Sequence, residues 1–193
     1  MAEKSLIVPS AEILDRARKI KLFLMDVDGT LTDGALYLTS TLSEEDQTLS
    51  AVSETKAFNA KDGPGLSLAH AMGLKTGFIT GRRSPAVSQR AKELHVTYVY
   101  LGQATKTDAY LDCMQKAGVS DEEIAYMGDD LPDIPLAERA GLAVCVADGA
   151  EELKAKCHYI TSALGGRGTA REVVELILKA QGRWDAAVPL ARA

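Results

Sequence analysis

The chain has 193 residues, 46% hydrophobic and 25% charged, with 22 Lys and Arg against 27 Asp and Glu for a formal net charge of −5. That length and apolar content are enough for one domain with a sizeable core, and the mildly acidic balance argues against a nucleic-acid scaffold. The N-terminus carries no secretory h-region and no apolar run reaches membrane-spanning length, so the expectation is a cytoplasmic protein without a membrane partner. Cys113, Cys145 and Cys157 lack metal-type spacing and read as free thiols of a reducing compartment. His70, His95 and His158 are scattered and read as structural or exposed.

In chain order, residues 11–19 form a short charged helix with Ser10 as N-cap after Pro9. Residues 20–26 form the first strand. Residues 35–58 differ from the rest: Ala35–Thr39 and Ser53–Phe58 read as two strands of a hairpin, with the polar stretch from Ser40 as a long mobile tip. A repeating pattern then begins. Helices are expected at 65–72, 85–94, 107–117, 134–140 and 169–180, with a short turn of helix at 151–156. Strands are expected at 75–79, 97–101, 124–127, 142–146 and 159–161. Strands alternating with helices imply an α/β fold with a mainly parallel sheet covered on both faces. The tail after Gln181 is expected to fray unless a partner orders it. The whole chain, 1–193, reads as a single domain.

The polar clusters fall at the carboxyl ends of these strands. Asp26 and Asp28 are two residues apart, just past an apolar strand and before a Gly29-Thr30 turn. Alternate strand residues share a face, so both carboxylates converge where open α/β sheets bind ligands. There they can hold a hard cation, attack phosphorus or move a proton. A Ca²⁺ loop of the EF-hand kind is excluded, because its twelfth position would be Tyr37 rather than Glu. Thr80-Gly81-Arg82 follows the strand at 75–79, and its small hydroxyl suits a phosphate oxygen. Lys106 opens a helix, where a compact cation offsets phosphate charge. Asp129, Asp130 and Asp133 follow the strand at 124–127, and their mutual repulsion calls for a cation or a lysine. Taken alone, the Asp26–Thr30 motif reads equally as a turn or a phosphoryl site, Thr80-Gly81-Arg82 reads as a simple turn and Lys106 as a solvated lysine, while a second acid cluster at another strand end makes a metal a better reading of residues 129–133 than an acidic helix start. Their convergence on one sheet edge carries the argument.

With these four motifs in order, residues 20–180 resemble the haloacid dehalogenase (HAD) superfamily phosphatases. Lys56-Ala-Phe-Asn59-Ala60-Lys61-Asp62-Gly63, Ile79-Thr-Gly-Arg-Arg83, Gly102-Gln and Gly165-Gly-Arg-Gly168 are similar to the 3-deoxy-D-manno-octulosonate 8-phosphate (KDO 8-phosphate) phosphatase family. The resemblance implies a Rossmann-like three-layer sandwich with no cap domain and a β-hairpin flap at 35–58. It also implies a homotetramer in which a neighbour's hairpin and the 181–193 tail help to close each site, and a role in lipopolysaccharide biosynthesis. By the same resemblance, Asp26 is the nucleophile and Asp28 the general acid and base. Mg²⁺ lies between the Asp26 carboxylate, the Asp28 carbonyl and Asp129. Thr80 and Lys106 hold the phosphoryl oxygens, and Asp130 and Asp133 orient Lys106 or metal waters. Asn59, Ala60, Lys61, Asp62, Gly63, Arg82, Arg90 and Lys106, with Asp28, face a phosphorylated sugar-acid substrate, and Arg167 helps to shape the intersubunit site.

Two departures bear on the substrate. The hairpin is longer than in well-known enterobacterial members and carries the acidic tip Glu44-Glu45-Asp46, and Ser67 stands where some members place an arginine. Nonulosonate 9-phosphate phosphatases share nearly all these motifs and are the alternative on the same chemistry. A non-catalytic module that accepts phosphate, like a receiver domain, is the alternative of another class. Against it, Asp28 places an acid/base beside the nucleophile.

Overall fold

The computed structural model describes residues 9–42 and 49–192. A first helix, α1 (Ala11–Arg18), starts at Ser10, whose hydroxyl accepts the Ile13 N–H at 3.3 Å. The chain then enters β1 (Leu22–Met25). Side chains alternate across this strand: Phe23 and Met25 enter one apolar cluster, Leu22 and Leu24 another on the opposite face. Both faces are fully buried, the condition for a parallel strand covered by helices on each side.

Beyond an antiparallel hairpin of β2 (Tyr37–Leu42) and β3 (Leu49–Thr55), the order is α2 (Asp62–Ala71), β4 (Lys75–Thr80), α3 (Pro85–Glu93), β5 (Tyr98–Leu101), α4 (Lys106–Ala117) and β6 (Ile124–Gly128). Then follow α5 (Ile134–Ala137), β7 (Leu142–Cys145), α6 (Glu151–Lys154), β8 (Tyr159–Ile160), α7 (Thr169–Ala180) and α8 (Trp184–Ala187). Six strands form one parallel sheet in the order β5-β4-β1-β6-β7-β8. After β1 the chain builds outward through β4 and β5, then returns to place β6 on the other side of β1. The sheet order therefore reverses at β1, and a crevice opens at its carboxyl end.

The hairpin differs from its sequence reading. Its strands run further toward the tip, with Ser40 opposite Val52 and Thr41 opposite Ala51, while Lys56–Phe58 leave the ladder. The Ser- and Thr-rich stretch reads as loop by polarity, yet cross-strand pairing suits these side chains on a ribbon open to solvent. The acidic tip Glu44–Asp46 lies outside the described residues. Helix α2 begins three residues earlier than expected, because Pro64 falls in its first turn, where no N–H is needed.

The tail also differs. Instead of fraying, residues 184–187 form α8 and a further 3₁₀ turn follows at 188–192. Trp184 packs on the core beneath Arg171 and Lys179, whose cationic groups lie 5.4 and 5.1 Å from its ring centroid. Gln181 Nε2 donates to the Ile20 carbonyl at 2.7 Å. The chain's own helices thus order the tail.

Candidate active site

The crevice at the end of β1 collects residues from four segments. Asp26 continues β1, its N–H donating to Met127 O at 2.9 Å, and it is 6% exposed. Lys106, the first residue of α4, reaches back so that its Nζ lies 2.9 Å from Asp26 Oδ1 and 2.6 Å from Asp133 Oδ1. Asp129, one residue past β6, presents its carboxylate to the same space, and Thr30 Oγ1 donates to Asp129 Oδ1 at 3.0 Å. Asp28, two residues after Asp26, has Oδ2 within 3.4 Å of the Thr80 hydroxyl at the end of β4.

Glycine permits this approach. Gly29 has φ +86°, and a Cβ there would fall 2.1 Å from Asp129 Oδ2. From the other side, residues 165–169 brace the turn. Gly166 N–H and the Thr169 hydroxyl both donate to Thr30 O, at 3.0 and 2.9 Å, and a Cβ on Gly165 would strike Gly29 O at 1.9 Å. Arg167 itself is exposed.

The charges lie close enough to act on one another. Burial raises the Asp26 carboxyl to about 6; the Lys106 charge opposes this and Asp133 adds to it. Burial, with the charges of Asp26 and Asp133, raises Asp129 to about 8. Burial alone would lower Lys106, but the two carboxylates beside it outweigh that, and its pKa is raised.

Carboxylate oxygens of Asp26, Asp129 and Asp133 lie within 4.8 Å of one another. Asp133 is already fully engaged: Oδ1 accepts from Lys106 and from the Tyr126 hydroxyl at 2.5 Å, and Oδ2 accepts from the N–H groups of Asp129 and Asp130 at 3.0 and 3.3 Å. Asp26 and Asp129 remain as carboxylate donors for a cation. An all-oxygen pair, repelled and partly desolvated, fits a hard divalent ion such as Mg²⁺.

Some sequence-chosen residues stand apart from this centre. Asp130 is exposed and caps its own turn, accepting from Leu131 N at 2.8 Å, so only Asp133 of that pair orients Lys106. Asp62 is buried and accepts from Arg171 N at 3.1 Å, joining α2 to α7. Arg90 lies 5.8 Å from the Phe58 ring centroid and donates to Asn59 O at 3.5 Å, which supports the 59–63 segment from beneath. Asn59 Nδ2 donates to Gly166 O at 3.2 Å. Ala60 and Lys61 are exposed, Gly63 is partly buried, and Ser67 faces solvent on α2.

The sequence reading missed Lys56, Glu54 and Tyr126 as site residues. Lys56 Nζ is ion-paired with Asp28 and lies 3.4 Å from Glu54, which in turn lies 2.9 Å from Arg82. The available signal was the position of Lys56 at the exit of the hairpin, just ahead of the 59–63 segment.

A model described as haloacid dehalogenase-like hydrolase matches residues 98–170. The 3-deoxy-D-manno-octulosonate 8-phosphate phosphatase of Escherichia coli (strain K12) is 39% identical over 178 residues, 92% of this chain and 89% of that protein. The chain belongs to this phosphatase family. Among solved members, the Moraxella catarrhalis phosphatase, in complex with magnesium ion, phosphate ion and KDO, is 42% identical with a TM-score of 0.83, covering 93% of this chain and 97% of that one. The Yersinia pestis phosphatase is 38% identical with a TM-score of 0.82, covering 91% and 89%. These phosphatases share the fold expected here: a parallel sheet in an α/β sandwich of the HAD type.

Proposed function

We propose that the chain is a Mg²⁺-dependent phosphatase that hydrolyses 3-deoxy-D-manno-octulosonate 8-phosphate to KDO and phosphate, in lipopolysaccharide biosynthesis. The observation that carries this is the Asp26 carboxylate at the end of β1, held between Lys106 and Asp129 with Asp28 two residues on. Family membership supports the substrate.

Asp26 and Asp129, with the main-chain carbonyl of Asp28, would hold Mg²⁺. When bound, the ion neutralises carboxylate repulsion and developing phosphoryl charge. A carboxylate oxygen of Asp26 attacks phosphorus, and the bond from phosphorus to the sugar oxygen breaks. Asp28 gives its proton to that oxygen, then takes one from the water that attacks the aspartyl phosphate, returning Asp26 and releasing phosphate. Lys106 and the Thr80 hydroxyl carry the phosphoryl oxygens through both steps. Arg82, half-exposed beside the hairpin, offers a planar fork to the sugar-acid carboxylate; the family resemblance assigns the 59–63 segment to the same substrate.

Leu36, Tyr37, Leu38 and Val52 stand exposed on the hairpin. An exposed apolar hairpin surface suits a contact with another subunit, as in the homotetramer that the family resemblance implies. Among the described residues no helix is long and apolar enough to cross a membrane; a cytoplasmic location is part of the same proposal.

The substrate assignment is tested by kcat/KM on KDO 8-phosphate beside a nonulosonate 9-phosphate. A preference for the eight-carbon acid is expected. A preference for the nine-carbon acid would keep the chemistry and move the pathway.

A further inference from the structure

Lysine is almost never fully buried without a partner, yet the Lys56 side chain is 1% exposed. It leaves the end of β3 and turns inward rather than out. Its ammonium meets two carboxylates, Asp28 and, at 3.4 Å, Glu54. Glu54 also binds the Arg82 guanidinium at 2.9 Å. The two oxygens of Asp28 are thereby divided: Oδ1 faces Lys56, and Oδ2 faces the Thr80 hydroxyl at 3.4 Å. The carboxylate is clamped from opposite sides, one contact coming from the sheet and the other from the hairpin.

We propose that Lys56 is a positioning residue for the phosphatase reaction, fixing the Asp28 carboxylate where it meets the bridging sugar oxygen and tying that geometry to the hairpin through Glu54 and Arg82. The inference rests on the reading of Asp28 as the acid and base. A carboxylate beside a strand end has free rotation about two bonds; proton transfer requires it within hydrogen-bond reach of one oxygen. A buried ammonium held by a second carboxylate supplies that constraint. Arg82 extends the chain of charges to the mouth of the site, so a substrate carboxylate that engages Arg82 meets a hairpin already joined to Asp28.

The test is steady-state kinetics of the full chain at saturating Mg²⁺ on two substrates. KDO 8-phosphate has an alkoxide leaving group that needs a proton, whereas 4-nitrophenyl phosphate has a phenolate that leaves without one. Wild-type turnover of both, lost in Asp26→Asn, establishes the reaction independently of Lys56. If KDO 8-phosphate is not hydrolysed but another alkyl phosphate is, the substrate reading fails and the comparison proceeds on that alkyl phosphate. Lys56→Met is expected to lower kcat/KM on the alkyl phosphate by on the order of 10²-fold, and on the aryl phosphate by less than about threefold. Lys56→Arg is expected to recover part of the loss, and Glu54→Gln to show the same bias at smaller amplitude. Equal losses on both substrates, or none on the alkyl phosphate, would overturn the proposal. Should Lys56→Met not fold, Lys56→Arg and Glu54→Gln carry the same comparison.

Discussion

Lys106 Nζ lies 2.6 Å from Asp133 Oδ1, and both side chains are almost wholly withdrawn from water. Asp133 also takes the Tyr126 hydroxyl and two main-chain N–H groups, so it sets the shape of the loop that carries Asp129 as well as the direction of Lys106. Removing it takes one of two carboxylates from a buried ammonium and leaves the Tyr126 hydroxyl without its acceptor. Asp133→Ala should therefore lower the unfolding free energy by about 3 kcal/mol, the low end for a broken buried pair, because Lys106 keeps Asp26. Urea denaturation measures this. Asp133→Asn keeps an acceptor oxygen on one side only, sets an amide N–H against donors on the other and loses the charge, and should lower kcat by roughly 10- to 100-fold.

A second prediction concerns the turn after Asp28. Gly29→Ala places a methyl 2.1 Å from the Asp129 carboxylate at φ +86°. An L-residue in that region costs about 1–2 kcal/mol before any clash, and Asp129 must move. The expected result is Mg²⁺ affinity weakened by more than about tenfold, read by calorimetric titration, with a circular-dichroism spectrum like that of the wild type.

The pH dependence follows from the raised carboxyls. Asp26 and Asp129 titrate at about 6 and about 8 in the folded protein, above their ordinary value of 3.8. The folded state thus binds these protons more tightly than the unfolded state. The metal-free protein carries no penalty from them below the unfolded value, and loses stability as pH rises from there through 8. Mg²⁺ must displace the same protons, so its affinity should rise by up to about tenfold per pH unit below 8 for each proton released. Thermal unfolding with and without saturating Mg²⁺ at pH 6 and pH 8 checks both signs. The Mg²⁺-induced increase in Tm should be larger at pH 8.

Much of the centre was legible because strand ends and period-two alternation are local properties. Asp26, Asp28, Thr80 and Asp129 each follow an apolar run, and a parallel sheet brings such ends together. What was not legible depends on where distant segments fold. Lys56 looks like any solvated strand lysine until the fold buries it against Asp28. Asp130 and Asp133 are indistinguishable by composition. Only the tight turn at 131–133 points one carboxylate inward and leaves the other as a cap. The tail reads as loose because its few large apolar residues, Trp184, Val188 and Leu190, are set among Gly182, Pro189 and alanines with no helical period. Its docking site is made by α7 and the cations Arg171 and Lys179.

Asp26 as the group that attacks the phosphorus of an eight-carbon sugar-acid phosphate is checked by phosphate release from KDO 8-phosphate by the purified chain, with and without Mg²⁺ and beside Asp26→Asn. Turnover should depend on Mg²⁺ and disappear in the variant. Turnover undiminished in Asp26→Asn, or none by the Mg²⁺-loaded wild type, would show that Asp26 is not the nucleophile of this reaction.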